Sequence, residues 1–235
     1  MATDGVAIIT GTASGIGRAL AERLLAAGWP VCGVDRQDWP GAAHPAYTHL
    51  RCDLADTAAL AALHPRLPQR VRAFVHCAGI VRSGGAFDSH PGDTQLMWQL
   101  HVNAPLALVN GLGASLLDRT GRIVLVASRA MLGRSHRAAY AATKSAQVGL
   151  ARSLAAELIG RGITVNVVAP AAVDTPMLHD PARGAPPRVD LPLGRLVTAT
   201  EAAAAIAFFL SEEAGAITGQ TLYVCGGASL GAAAL

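Results

Sequence analysis

Short, continuous apolar runs alternate along the chain with longer stretches whose apolar residues recur every three to four positions. Runs at 6–10, 30–35, 50–53, 73–76, 122–127, 164–169 and 221–224 predict strands. Stretches at 16–27, 57–64, 92–117, 138–160 and 200–210 predict helices, the first carrying Ile16, Leu20, Leu24 and Ala27 on one face. Strands that are apolar throughout are buried on both faces, as in parallel sheets. Their alternation with helices implies right-handed strand–helix–strand crossovers. The pattern therefore predicts an α/β protein, a doubly wound parallel sheet of about seven strands with helices on both faces, formed as one domain over 1–235. One stretch departs from it. Positions 178–192 hold Pro181, Gly184, Pro186, Pro187 and Pro192 without periodicity, and are expected to form a substrate loop.

Composition agrees with a packed core. Of 235 residues 51% are hydrophobic and 15% charged, too apolar for a disordered chain. Aromatics are only 4% and glycines number 25, which favours thin layers of small side chains. The net charge of +3 is spread without a run of five like charges, so neither nucleic acid nor a membrane surface is expected as a partner. No segment nears the ~18 apolar residues of a membrane span. The first residues lack the basic-then-apolar order of a signal peptide. Cys32, Cys52, Cys77 and Cys225 lie far apart in apolar runs, and the eight histidines show no ligand spacing. No metal site is expected, and a reducing, cytoplasmic setting is.

Thr10-Gly11-Thr12-Ala13-Ser14-Gly15-Ile16-Gly17 joins the first strand to the first helix. Gly11 permits a sharp turn, Gly15 clears the backbone for a pyrophosphate, and Gly17 lets helix and strand approach. The free N–H groups at the helix start would face the phosphates. This is a dinucleotide loop, and with it the sheet reads as a Rossmann fold. Asp35 closes the second strand, twenty residues after Gly15. A carboxylate there accepts hydrogen bonds from an adenosine ribose and repels a 2′-phosphate. Arg36 could welcome that phosphate, but Ser14 leaves the loop without a basic residue for it. NAD is expected over NADP. Asp53 suits either the adenine amino group or a helix cap.

Further along, Tyr140 and Lys144 share one face of a predicted helix. An ammonium near a phenol would lower its pKa from about 10 and poise Tyr140 as general acid/base. Ser128 follows the fifth strand at its carboxyl end, where ligands bind in open α/β sheets, and its hydroxyl can hold a carbonyl or alkoxide oxygen.

In order and spacing, the glycine loop 10–17, Asp53-Leu54, Ala78-Gly79, Asn103, Ser128, Tyr140-Ala-Ala-Thr-Lys144, Asn166-Val-Val-Ala-Pro170 and Thr175 resemble the short-chain dehydrogenase/reductase family over essentially the whole chain. The resemblance implies that Asn103, Ser128, Tyr140 and Lys144 are catalytic. Asn103 would hold a water in a proton relay, and Lys144 would also contact the nicotinamide ribose. It implies cofactor contacts from Gly11, Ser14, Gly15, Ile16, Gly17, Asp35, Asp53, Leu54, Ala78, Gly79, Tyr140, Lys144, Pro170, Val173 and Thr175. The last would reach the carboxamide, or else simply cap a helix before Pro176. Substrate contacts would come from Ser128, Arg134, Tyr140 and Met177. Departures are His76-Cys77 where the family has two asparagines, Ala171 after Pro170, and Cys225 in place of an aspartate.

Within the family, Ala78-Gly79-Ile80-Val81-Arg82, Arg134 and the 226–231 tail look like 2,3-dihydro-2,3-dihydroxybenzoate dehydrogenases, where the matching arginine lies near the substrate carboxylate. Arg129, Arg137 and His136 add basic groups, as a substrate grip or as a solvated loop. The expected function is hydride transfer between NAD(H) and a secondary alcohol or ketone, cyclic or carboxylate-bearing. The alternatives are a 3-oxoacyl thioester reductase using NADPH, and a non-catalytic dinucleotide-binding or redox-sensing module. The family's habit of pairing two long helices implies a homotetramer, here through 92–117 and 138–160.

Overall fold

The computed structural model describes residues 4–183 and 191–230. Positions 184–190 of the expected loop lie outside the described residues. Seven strands form one parallel sheet: β1 (Val6–Thr10), β2 (Val31–Asp35), β3 (Tyr47–Arg51), β4 (Val71–His76), β5 (Arg122–Val126), β6 (Thr164–Pro170) and β7 (Thr221–Val224). Their spatial order is β3-β2-β1-β4-β5-β6-β7, with every neighbouring pair parallel. The order runs outward in both directions from the β1–β4 boundary. Crossovers diverge there and leave a crevice at the carboxyl ends of the strands. A two-residue parallel pair, Val173–Asp174 with Val197–Thr198, was not anticipated and sits apart from the main sheet.

The strands are apolar throughout because each feeds two cores. Ile8 of β1 and Ile123 and Leu125 of β5 pack on one face with Phe74, Leu108, Leu112 and Leu154. Ala7, Ile9, Val124 and Val126 face the other, against Leu20, Leu24, Ile206 and Phe209. Helices α4 (Ala104–Leu112) and α5 (Ala138–Leu158) thus cover one side, and α1 (Gly15–Ala26) and α6 (Ala199–Leu210) the other. Helix α6 opens on a capping box, Thr198 Oγ1 accepting from the Glu201 N–H (3.1 Å) and Glu201 accepting from the Thr198 N–H (2.9 Å).

Two segments differ from the pattern-based expectation. Edge strand β3 begins three residues before the expected 50–53 and ends at Arg51, because Leu50 is its one buried residue and its other side chains are partly or fully exposed. An edge strand needs no apolar run, so the pattern signals it weakly. The helix expected over 92–117 is broken into α3 (Pro91–Trp98), a π-helical turn at Gln99–Asn103, α4, and a 3-10 turn at Gly113–Ser115. Pro105 accounts for the π turn. It has no N–H to offer the carbonyl four residues back, and its ring would strike that carbonyl in an α-helix. The Ala104 N–H reaches back five residues to Gln99. The Leu100 and His101 carbonyls therefore lack their α-helical donors.

Candidate active site

A cavity of about 1130 Å³ opens at the carboxyl ends of the strands. It is lined by every expected cofactor residue: Gly11, Ser14, Gly15, Ile16, Gly17, Asp35, Asp53, Leu54, Ala78, Gly79, Tyr140, Lys144, Pro170, Val173 and Thr175. Ser128, Arg134 and Met177 line it too. Asn103 does not.

One end of the cavity is the glycine loop. Gly11 turns the chain at φ +75°, and a Cβ on Gly17 would stand 2.2 Å from the Gly11 carbonyl oxygen. Any larger residue at 17 would push α1 off the loop. Ser14 stands at the N-cap of α1 without a side-chain cap bond, so no cap hydroxyl occupies the first helical N–H groups. Asp35 Oδ2 accepts from the Ala13 N–H (2.9 Å), and Oδ1 from the Gln37 N–H (2.9 Å), which fixes the carboxylate beside the loop. Arg36 lines the same wall. Helix α2 (Thr57–Leu63) is capped by Asp56 and not Asp53, whose Oδ1 accepts from the Ala55 N–H at 2.9 Å. Thr175 stands before the 3-10 turn Pro176–His179 without capping it, and its methyl would meet a Cβ on Gly15 at 3.1 Å. The cradle, the uncapped helix start and the anchored carboxylate fit a dinucleotide.

At the other end stand Ser128, Tyr140 and Lys144. Ser128 follows β5, its Oγ accepting from the Ala130 N–H (3.1 Å). Tyr140 lies in the first turn of α5, buried, with its ring edge-on to His101 at 5.7 Å. Lys144, one turn on, is buried, its Nζ 6.0 Å from the Tyr140 ring centroid. That Nζ donates to the Val126 carbonyl (2.8 Å) and to Gln147 Oε1 (3.2 Å). Burial lowers the Lys144 pKa to about 7. Burial also pushes the Tyr140 phenol above its usual value, and the Ser128 hydroxyl and the Arg183 and Arg137 guanidiniums act against it. The expectation that Lys144 lowers the Tyr140 pKa needs correction. The ammonium is turned to a backbone carbonyl, desolvation dominates, and the opposing cations are arginines.

Beneath these groups lies a polar floor that the sequence did not announce. Thr10 Oγ1 accepts from the N–H groups of Cys77 and Ala78 (3.1 Å each), so its own proton goes to His76 Nδ1 (2.9 Å). His76 Nε2 then donates to the Leu100 carbonyl (2.9 Å). Burial lowers the His76 pKa to about 3, which keeps the ring neutral. Thr143 Oγ1 donates to the Tyr140 carbonyl (2.9 Å), so His101 Nδ1 is the donor to Thr143 (2.8 Å). His101 Nε2 is left to accept from the Ile80 N–H at 3.2 Å. Gln147 Nε2 donates to the His101 carbonyl (2.9 Å). Both carbonyls orphaned at the π turn are thus taken by side chains, from β4 and from α5. Gln147 ties the second of them to Lys144.

Asn103 is a second correction. It is exposed on the far side of the helix, where its Nδ2 donates to Gln99 Oε1 (3.1 Å). Residues two apart on a helix point to nearly opposite sides. His101, two residues earlier, is the one turned inward, and a Cβ on Gly79 would stand 2.9 Å from its Nε2 and 3.6 Å from Lys144 Nζ. The signal for this floor was Pro105, a proline inside a helical pattern.

Of the basic residues, Arg82, Arg129, Arg134, Arg137 and Arg183 line the cavity, whereas His136 is exposed outside the lining. Among the described residues no group of three His, Cys, Asp or Glu side chains could hold a metal, and no helix is long and apolar enough to cross a membrane.

Comparison with known proteins bears on this geometry. The family model described as enoyl-(acyl carrier protein) reductase matches residues 11–229. The 3-oxoacyl-(acyl-carrier-protein) reductase FabG of Escherichia coli (strain K12) is 34% identical over 235 aligned positions, covering 94% of this chain and 96% of that one. A solved short chain dehydrogenase/reductase family protein superposes with TM-score 0.85 at 31% identity, covering 96% and 97% of the two chains. The 3-ketoacyl-(acyl-carrier-protein) reductase of Brucella melitensis, solved in complex with NADH, superposes with TM-score 0.82 at 29% identity, covering 96% and 98%.

Proposed function

The chain belongs to the short-chain dehydrogenase/reductase family, an oxidoreductase family that binds a nicotinamide dinucleotide. From that premise we propose that it transfers hydride between NAD(H) and a secondary alcohol or ketone, on a cyclic or carboxylate-bearing substrate. The observation that carries this reading is the convergence of Ser128, Tyr140 and Lys144 on one end of a cavity whose other end is the glycine loop and Asp35.

When bound, the nicotinamide supplies the hydride acceptor or donor. The chain supplies the rest. Gly11–Gly17 cradle the phosphates, and Asp35, held by the Ala13 and Gln37 N–H groups, accepts from the adenosine ribose. That carboxylate supports NAD over NADP, because it would repel a 2′-phosphate. In oxidation Tyr140 takes the substrate hydroxyl proton, and in reduction it returns one. Ser128 holds the substrate oxygen. Lys144, kept upright by Val126 and Gln147, serves the ribose side of the same proton path. Leu54, Ala78, Pro170, Val173 and Thr175 shape the cofactor walls, and Arg134 and Met177 the substrate side. Residues 1–235 act as one catalytic domain, assembled as a cytoplasmic homotetramer through α3–α4 and α5.

A second reading, a 3-oxoacyl thioester reductase using NADPH, draws support from the activity in the names of the relatives and from Arg36 in the cavity wall. The test follows cofactor absorbance in the near ultraviolet with NAD(H) and NADP(H) against cyclic diols, hydroxy acids and 3-oxoacyl thioesters. Turnover with NAD(H) and cyclic or hydroxy-acid substrates is expected. Turnover only with NADPH and thioesters would overturn the first reading. Cofactor binding without any turnover would favour a sensing module.

A further inference from the structure

We propose that Arg137 and Arg183, with Arg134 at the rim, form an anion subsite next to the reaction centre, and that it takes a carboxylate borne close to the reacting carbon of the substrate. The proposal rests on the reading of Tyr140 as the proton-transfer group and specifies the substrate class at that site.

Arg137 is only 8% exposed, yet its guanidinium meets neutral partners. Its Nη1 donates to Ser83 Oγ (2.8 Å) and to the Arg183 carbonyl (2.7 Å). The Ser83 hydroxyl donates to the same carbonyl, so one backbone oxygen ties three residues together. Among the described residues the Arg183 side chain donates only to the Met177 carbonyl, at 3.5 Å, and its Nε is buried without a partner. Asp180, the carboxylate nearest in sequence, is already engaged by Arg82 at 3.3 Å and by the Ala182 N–H at 2.9 Å. Among the described residues none of Arg134, Arg137 and Arg183 forms an ion pair. Three cations thus line the cavity with, among the described residues, no carboxylate paired to any of them. Burying unpaired charge is costly, and the fold spends further effort to do it. His136, just before Arg137, is a non-glycine residue at φ +56°, pinned by the bond from the Gly84 N–H to its carbonyl (3.1 Å).

The place of the cluster narrows the ligand. Both guanidiniums line the same cavity as Tyr140, and Arg137 is the N-cap residue of the helix that carries Tyr140 in its first turn; both act against the burial that raises the phenol's pKa. An acyl thioester on a pantetheine arm carries its phosphate at the far end of that arm, away from the reacting carbonyl. A hydroxy acid or ring carboxylate carries its charge beside the carbinol, and a forked guanidinium grips it in two places.

The experiment is isothermal titration of the full chain, saturated with NADH, with benzoate, phthalate and the uncharged benzamide. Benzoate and phthalate should bind saturably, with benzamide at least about tenfold weaker. Arg183→Gln should weaken benzoate at least about tenfold, and Arg183→Lys should recover part of the loss. The NADH affinity of each variant reports that it folds. Equal affinity for benzoate and benzamide, or benzoate binding untouched by Arg183→Gln, would overturn the subsite. So would benzoate competing with NADH, because the anion would then be the cofactor's own phosphate. Should NADH itself not bind, the cofactor reading fails, and benzoate titrated into the cofactor-free chain still decides the subsite.

Discussion

The floor and the mouth of the cavity are built on opposite plans. On the floor, Thr10, His76, His101, Thr143, Lys144 and Gln147 form a set in which each named donor finds an acceptor within 3.2 Å. Both histidine pKa values are pushed down by burial, so the rings stay neutral. At the mouth, Arg134, Arg137 and Arg183 have no carboxylate partner among the described residues; Arg137 and Arg183 each have a pKa lowered by burial and by a neighbouring guanidinium. A satisfied network holds its geometry whether or not ligand is present. An unsatisfied one gains most from a ligand that completes it. The difference separates what positions the chemistry from what selects the substrate.

The largest break in that contrast comes at the reaction centre that the floor supports. Tyr140→Phe should lower kcat by about 10²–10⁴-fold while NADH titration still shows binding. Near-normal turnover would remove Tyr140 from the proton path. Next is acid. His76 takes up a proton near its ordinary value of 6.5 when unfolded but only near 3 when folded, so the unfolded chain binds more protons between those values. Stability should therefore fall as pH drops from about 6.5 toward 3, by up to a few kcal/mol. Melting curves of wild type and His76→Asn between pH 7 and 4 test this, and parallel curves would break it. Gln147→Leu strips one acceptor from Lys144 and, among the described residues, the one side-chain donor to the His101 carbonyl. It should cost about 1–3 kcal/mol in urea unfolding. A smaller effect is expected at the cofactor end, where Asp35→Ala should narrow the NAD:NADP preference in kcat/KM by about tenfold, one lost charged contact. Smallest of all, Asn103→Ala should leave kcat and stability within about 0.5 kcal/mol of wild type, as for an exposed side chain. A large loss there would restore the role first read from the motif.

Regions governed by local backbone rules were legible in the sequence. The glycine loop, β1, β5 and β6, and the Tyr140–Lys144 spacing follow from periods and steric needs that a few neighbouring residues state completely. Edge strand β3 starts earlier than the apolar pattern says because only Leu50 is buried in it, with Tyr47 and His49 half-buried and Thr48 and Arg51 exposed, so no apolar run marks its first residues. The floor was illegible for a different reason. His76 and Leu100, or Gln147 and His101, meet only through the tertiary fold, across 24 and 46 residues. Asn103 matches the asparagine of a family motif, but a π turn shifts the helical phase, and only backbone geometry tells which of 101 and 103 points inward.

That turn has a consequence for insertion and deletion. A π turn is an α-helix carrying one residue too many. Removing any single residue from 99–103 would let the helix close its own ladder, up to the gap at Pro105. It would also rotate α3 against α4 and take the carbonyls away from His76 and Gln147. Surface loops elsewhere in the chain should tolerate a change of length. This helix, deep under the reaction centre, has to keep its count.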